Sequence, residues 1–79
     1  MVKRSRTSAP ARYVVCIRNH GYPEALELRK LYRVIPDAKA ARIGYVRVID
    51  ESGEDYLYPK RFFAPVTLTP PVRRALATA

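Results

Sequence analysis

The chain has 79 residues, of which 15 are lysine or arginine and 7 are aspartate or glutamate, so its formal net charge is +8. This length predicts one domain and excludes a doubly wound nucleotide fold, a TIM barrel or a two-domain enzyme. The hydrophobic content of 48% is typical of a globular domain, and the excess of positive charge favours an anionic partner such as nucleic acid or a membrane surface.

The N-terminal half is predicted to form two strands joined by a long connection. Residues 1–11 are basic and small and contain a proline, a composition typical of a disordered arm. The apolar, β-branched run Tyr13–Ile17 predicts a first strand, and Lys30–Ile35 predicts a second. Between them, turn formers at 18–23 precede Glu24–Leu28, which is compatible either with a short helix or with the closing arm of a long loop.

The second half is predicted to contain one helical turn, a hairpin and a final edge strand. Good helix formers precede Gly44, which is suited to follow the end of a helical turn because glycine adopts a positive φ without strain. A polar turn containing Gly53 joins two further strands into a hairpin. Pro65 cannot donate a main-chain hydrogen bond, so the last strand is predicted at an edge of the sheet. The predicted elements are a helical turn at 36–44, a third strand at 44–49, a fourth at 56–58, a 3₁₀ turn at 60–62 and a fifth strand at 63–68.

Five short strands with few helical residues predict an all-β fold. The first connection between strands is long and the third is tight, an arrangement that indicates a small five-stranded β-barrel. We place this barrel at residues 12–68, after the basic arm at 1–11. Residues 69–79 begin with prolines after Thr69 and are predicted to be a flexible C-terminal tail.

The closing part of the predicted barrel resembles SH3 domains. That family closes with a glycine, an aromatic or aliphatic residue a few positions on, and then a Pro-x-x-(Tyr/Phe) motif. In this sequence Gly53 is followed by the run Tyr58–Phe63, YPKRFF. Glu24–Leu28 is similar to the Glu-Leu-Ser-Phe stretch that ends the long first loop of SH3 domains. The resemblance spans roughly residues 13–67 and implies a five-stranded SH3-like barrel.

The same segment is also similar to short, uncharacterised bacterial proteins, through the run Arg47–Pro59. That second resemblance implies no activity. Two features of peptide-binding SH3 domains are absent from the sequence. Their Ala-Leu-Tyr-Asp-Tyr signature is replaced by Val14–Arg18, and the chain contains no tryptophan.

The SH3 resemblance implies a site for a peptide or protein partner. In peptide-binding SH3 domains, the motif proline and aromatic residue line a groove for polyproline helices, which are pre-ordered and lose little entropy on docking. This implies that Pro59 and Phe62 line a groove, with Tyr22 as another wall and Glu24 facing a basic residue of the ligand. The alternative for Phe62 is packing within the barrel, because aromatic side chains in small domains mostly supply buried area.

A second hypothesis is nucleic-acid binding by a small basic barrel, through its tails and exposed aromatic and arginine side chains. Basic residues lie close to aromatic ones in the sequence on two predicted strands and in the 3₁₀ turn. The alternative is that Arg33 and Arg47 are simply the outward members of half-buried strands. Most of the net charge belongs to the two predicted tails. The candidate nucleic-acid-binding residues are Lys3, Arg4, Arg6, Arg33, Arg47, Lys60 and Arg61.

No catalytic residue, metal site or cofactor is predicted. Cys16 is the only cysteine and His20 the only histidine, so the chain offers neither an internal disulfide nor a zinc-type ligand set, and Cys16 is interpreted as a small core residue. The carboxylates of Asp50–Asp55 surround one turn instead of facing each other across a cleft, and we interpret them as a solvated turn. The lack of disulfides favours the cytoplasm, and no apolar run is long enough for a membrane span. We therefore expect a cytoplasmic, non-enzymatic protein.

Overall fold

The computed structural model describes residues 12–77, which form five strands, two α-helices and one 3₁₀ turn. The predicted N-terminal arm, with Lys3, Arg4 and Arg6, lies outside the described residues. The strands are β1 (Arg12–Cys16), β2 (Leu31–Ile35), β3 (Tyr45–Ile49), β4 (Asp55–Pro59) and β5 (Phe63–Val66). The helices are α1 (Ala38–Arg42) and α2 (Pro70–Ala77), and the 3₁₀ turn is Lys60–Phe62.

All five strands belong to one antiparallel sheet with the order β4-β3-β2-β1-β5. The prediction of an all-β fold with five strands and a short helical turn is therefore confirmed. The sheet is not a closed barrel, which corrects that part of the prediction. Its edges are β4 and β5, and the 3₁₀ turn connects them without a hydrogen-bonded ladder between the two strands. Pro65 lies in an edge strand, as predicted.

The hydrophobic core lies on one face of this sheet. Residues that pair across neighbouring strands share a face, and the core-facing pairs include Val14 with Tyr32 and Val34 with Val48. Leu26 from the long connection and Phe62 from the 3₁₀ turn complete the same cluster. The buried members of this core are Val14, Cys16, Leu26, Tyr32, Val34, Val48, Tyr58, Phe62 and Phe63.

Cys16 is fully buried in this core, as predicted for a small packing residue. Its thiol donates a hydrogen bond to the Arg18 carbonyl oxygen at 3.2 Å. Burial raises the pKa of the Cys16 thiol, although the contact with the main chain at Arg18 acts in the opposite direction. The thiolate that nucleophilic chemistry requires is therefore disfavoured.

The helical turn before β3 is confirmed as α1. Asp37 caps its N-terminus, since the carboxylate oxygen Oδ1 accepts a hydrogen bond from the Ala40 N–H at 3.0 Å. Gly44 follows the C-terminal cap with a φ of +83°, which glycine adopts without strain. Glu24–Leu28 contains no helix, so the structure selects the loop alternative for this segment.

The segment predicted as a flexible C-terminal tail, residues 69–79, contains the helix α2 at Pro70–Ala77, which was not predicted from the sequence. Pro70 and Pro71 lie in its first turn, where main-chain N–H groups have no acceptor within the helix, so the missing N–H of proline removes no helical hydrogen bond. The Arg73 N–H donates to the Thr69 carbonyl oxygen at 2.9 Å. The following residues, RRALA, are mostly strong helix formers, and this propensity outweighs the turn-forming character of the proline pair.

Candidate functional site

Tyr22 is a half-exposed aromatic residue in the connection between β1 and β2, with 46% of its surface accessible. Its ring packs edge-on against Tyr58, with ring centroids 5.1 Å apart, and against Phe62 at 6.1 Å. Both supporting rings are buried in the core. The structure therefore brings together two of the residues predicted to bind peptide, Tyr22 and Phe62.

The backbone around Tyr22 is fixed by local hydrogen bonds. The Tyr22 N–H donates to the Asn19 carbonyl oxygen at 2.7 Å, and the Tyr22 carbonyl oxygen accepts from the Leu26 N–H at 3.1 Å. Gly21 has a φ of +88°, so a glycine is favoured immediately before the aromatic residue. The Asn19 side chain also donates to the Leu26 carbonyl oxygen at 3.0 Å. The exposed ring is thus presented by an ordered segment of the loop.

Phe62 is only 4% exposed, and its ring belongs to the core. Its carbonyl oxygen accepts hydrogen bonds from the N–H groups of Ile17 at 2.8 Å and Arg18 at 3.2 Å. The Arg61 guanidinium lies 5.6 Å from the centroid of the Phe62 ring. Phe62 therefore supports the surface residues around it, while its own ring offers little area to a ligand.

Pro59 and Glu24 are the other two residues predicted to bind peptide, and they lie in different positions relative to Tyr22. Pro59 is half-buried at the end of β4 and pairs with Tyr45. Because side chains alternate along a strand, Pro59 lies on the face opposite to Tyr58, which supports Tyr22. Glu24 is exposed two residues beyond Tyr22, and no lysine or arginine within residues 12–77 forms an ion pair with it.

Two residues outside the predicted peptide site adjoin this aromatic cluster. Ile17 was predicted to end the first strand, but β1 ends at Cys16 and Ile17 is 50% exposed. The turn formers that follow it in the sequence were the available signal. Arg61 is exposed beside Phe62. We call Ile17, Tyr22, Glu24 and Arg61 the Tyr22 surface.

The turn between β3 and β4 stabilises the structure beneath the Tyr22 surface. Asp50 is only 7% exposed, so the prediction that its carboxylate belongs to a solvated turn was wrong. Its Oδ2 accepts a hydrogen bond from the Tyr58 hydroxyl at 2.5 Å, and its Oδ1 accepts from the Ser52 hydroxyl at 2.6 Å and the Ser52 N–H at 2.9 Å. Burial raises the pKa of Asp50, but the hydrogen bonds from Ser52 and Tyr58 outweigh it, so the pKa is lowered overall.

The adjacent Glu51 connects this turn to the long loop. Its Oε2 accepts a hydrogen bond from the Tyr32 hydroxyl at 2.5 Å and lies 2.7 Å from the Lys30 Nζ. The Tyr32 hydroxyl in turn accepts from the Glu27 N–H at 2.7 Å, and the Glu51 N–H donates to the Ala25 carbonyl oxygen at 3.0 Å. Lys30 and Tyr32 lower the pKa of Glu51. Loop and turn therefore form one hydrogen-bonded unit.

The predicted nucleic-acid-binding residues are spread over the described surface. Arg33 is exposed in the middle of β2, and Lys60 and Arg61 are exposed in the 3₁₀ turn. The Arg47 guanidinium pairs with Asp37 at 2.9 Å and with Asp55 at 3.2 Å, so two carboxylates already neutralise it. The remaining three candidates precede residue 12 and lie outside the described structure.

Within residues 12–77, no three histidine, cysteine, aspartate or glutamate side chains cluster in a way that would hold a metal ion. The helices of this part of the chain are too short to cross a membrane. No protein-family model matches the chain, and neither a curated protein nor a solved structure is significantly similar to it.

Proposed function

We propose that this protein is a non-enzymatic binding module with an SH3-like arrangement of strands, and that its Tyr22 surface recognises a peptide segment of a protein partner. The observation that carries the proposal is the half-exposed Tyr22 ring, supported from beneath by the buried rings of Tyr58 and Phe62. A rigidly placed tyrosine contributes a large contact area and has few rotatable bonds to immobilise on binding.

The connections between strands support the SH3-like assignment. β1 and β2 are joined by the long segment at 17–30, β3 and β4 by a tight turn at 50–54, and β4 and β5 by a 3₁₀ turn. Strands β1 to β4 are consecutive neighbours, and β5 returns to pair with β1. The run Tyr58–Phe63, which carries the sequence resemblance, covers the end of β4, the 3₁₀ turn and the start of β5.

The composition of the Tyr22 surface indicates the chemistry of its ligand. Ile17 and Tyr22 supply exposed apolar area, which suits the flat sides of proline rings in an extended peptide. Glu24 has no ion-pair partner within residues 12–77, so it is available to a basic residue of the ligand. The ligand is therefore a proline-containing peptide with a lysine or arginine at one end.

An NMR titration tests this proposal. We expect a proline-rich peptide with a terminal arginine to shift the amide resonances of residues 17–24 and 60–62, and Tyr22→Ala to abolish those shifts. The matched control is Tyr56→Ala, because Tyr56 is also about half exposed, at 50%, and its hydroxyl donates a hydrogen bond to the Glu54 carboxylate, outside the Tyr22 surface. The control should bind as the unmodified chain does.

A charge reversal separates binding from folding. Glu24→Lys changes an exposed side chain and should leave the far-ultraviolet circular dichroism spectrum unchanged. It should weaken binding of the arginine-ended peptide and strengthen binding of a glutamate-ended one. Equal losses in the Tyr22 and Tyr56 variants, or an unchanged preference after charge reversal, would contradict the proposed surface.

A further inference from the structure

A concavity of about 110 Å³ lies where several strands end. β1 begins there at Arg12, β2 ends at Ile35, β3 begins at Tyr45, and Lys60 follows the end of β4. Residues from the segment that contains α1 form its remaining wall. We call this concavity the strand-end pocket; its lining is Arg12, Val34, Ile35, Pro36, Asp37, Ala41, Tyr45, Val46, Arg47 and Lys60.

The strand-end pocket carries more positive charge than its own carboxylate neutralises. Asp37 is its only acidic residue, and the Asp37 Oδ2 accepts a hydrogen bond from the Arg47 Nε at 2.9 Å. Hydrogen bonds from the Ala40 N–H and from Arg47 lower the pKa of Asp37, so this ion pair persists at neutral pH. Arg12 and Lys60 form no ion pair with any carboxylate of residues 12–77. Two uncompensated cations therefore line one concavity, an arrangement that attracts anions.

Both cations extend from fixed positions of the backbone. Arg12 pairs with Val34 at the first position of β1. The Lys60 N–H donates to the Gly44 carbonyl oxygen at 2.9 Å, which attaches the 3₁₀ turn to the start of β3. Their side chains are flexible and exposed, but their starting points are set by the sheet. A ligand oxygen can therefore be approached from two sides of the pocket.

The rest of the lining is apolar and includes one partly exposed aromatic ring. Tyr45 is 39% exposed, and it lines the pocket together with the apolar residues Val34 and Val46. An aromatic face next to cations suits a planar ring attached to a phosphate, because every nucleobase can stack on an aromatic side chain while lysine and arginine contact the backbone. A simple inorganic anion would leave this apolar area uncovered.

We propose that the strand-end pocket binds one nucleotide unit of a single-stranded nucleic acid, with the phosphate between Arg12 and Lys60 and the base against Tyr45. This site is separate from the Tyr22 surface and requires a different class of partner. A strand is favoured over a free nucleotide because the chain carries a formal net charge of +8, and this charge favours a ligand with several phosphates.

Fluorescence anisotropy with a labelled single-stranded oligonucleotide of about ten nucleotides tests the assignment. We expect the double variant Arg12→Gln/Lys60→Gln to lose about tenfold in affinity and to reduce the salt-dependence slope by about 0.7, the loss expected for one phosphate contact on a single strand. The matched control is Arg18→Gln/Arg29→Gln. It removes the same charge from exposed residues that do not line the pocket. Equal losses in both double variants would show general attraction to a basic protein and would overturn the site.

The stacking contact and the class of ligand are tested separately. Tyr45→Phe should retain binding and Tyr45→Leu should weaken it by about tenfold, since only the phenylalanine keeps a ring for the base. Displacement of the oligonucleotide by adenosine monophosphate as effectively as by unlabelled oligonucleotide would overturn the assignment to a strand. Displacement by polyglutamate at the same charge concentration would overturn the assignment to a nucleotide and indicate an acidic protein segment.

Discussion

At one end of the sheet, where the turn at 50–54 lies, Asp50 is buried and its carboxylate is hydrogen-bonded to Tyr58. At the other end, in the strand-end pocket, Asp37 pairs with Arg47 but both side chains stay in contact with water. A buried hydrogen bond to a charged group contributes more to stability than an exposed ion pair, because water competes only for the second. The charged group at the turn end therefore contributes more to stability than the Asp37–Arg47 pair does, and Arg12 and Lys60 of the strand-end pocket have no ion-pair partner within residues 12–77.

The largest predicted effect is at the turn end. Asp50→Ala leaves the Tyr58 hydroxyl inside the core without its acceptor, and an unsatisfied buried donor costs about 2–3 kcal/mol of unfolding free energy. Urea denaturation measures this loss. Asp37→Asn removes the negative charge from the pocket end but keeps a side-chain oxygen for the α1 cap, so it should cost clearly less. Similar losses for the two aspartates would mean that burial does not distinguish the two ends.

The same contrast predicts the response to acid. The folded-state pKa of Asp50 is lowered, although burial alone raises it, because Ser52 and Tyr58 donate hydrogen bonds to the carboxylate. This contribution to stability is complete above the ordinary carboxyl pKa of about 4 and is lost as the pH falls from there through the lowered folded value. Urea midpoints measured between neutral pH and about pH 3 should therefore decline. They should decline less steeply in Asp50→Asn; identical curves would contradict the assignment.

At alkaline pH, stability is expected to fall as the pH rises, which is the reverse of the response to acid. Burial, together with the hydrogen bond to Asp50, raises the pKa of Tyr58. Its contribution is complete below the ordinary tyrosine pKa of about 10 and is lost as the pH rises from there towards the folded value. Tyr58→Phe should remove part of this alkaline loss. Absorbance of tyrosinate during a pH titration provides an independent readout, and titration of all tyrosines near pH 10 would contradict a buried, hydrogen-bonded Tyr58.

A smaller effect is expected at Tyr32, which connects the long loop to the turn. Tyr32→Phe removes a hydroxyl that accepts from the Glu27 N–H and donates to the Glu51 carboxylate. We expect a loss of about 1 kcal/mol in unfolding free energy, together with faster hydrogen exchange at the Glu27 amide. The Tyr22 surface should retain its peptide, because the Tyr22 ring rests on Tyr58 and Phe62 instead. Unchanged exchange at Glu27 would show that the bridge does not order the loop.

Much of the fold was predictable because its signals are local. The strand-forming run before Cys16, the helix-ending position of Gly44 and the edge position of Pro65 each depend on the conformational preferences of a few neighbouring residues. The α2 helix was not predicted, because a Pro-Pro pair is typical of a turn or a linker, although the residues that follow it here are good helix formers.

The candidate sites were less predictable because they depend on contacts between distant parts of the chain. The burial of Asp50 requires Tyr58 on the neighbouring strand, and the pairing of Arg47 requires Asp37 from the connection before that strand. Neither follows from alternation along a single strand. The strand-end pocket similarly combines Arg12 with Lys60, which line one concavity because β1 begins and β4 ends on the same side of the sheet. Sequence patterns specify which residues face outwards but not which of them converge.

The smallest predicted effects come from backbone conformation. One residue with a positive φ lies near each end of the sheet, so the two ends can be compared by one substitution at each. Gly44, beside the pocket, has a φ of +83°, and no atom lies within 4 Å of the position that an added Cβ would occupy. Gly44→Ala should therefore cost only backbone strain, about 1 kcal/mol.

Arg29, near the turn end, already has a φ of 64° as a non-glycine residue, and its N–H donates to the Cys16 carbonyl oxygen at 2.7 Å. Arg29→Gly relieves strain but adds freedom to the unfolded chain, so urea denaturation should show a change within about 0.5 kcal/mol of zero. Arg29→Lys, which keeps the strained conformation, is the control. A large loss in Arg29→Gly would show that the arginine side chain, and not only its backbone, stabilises the turn end.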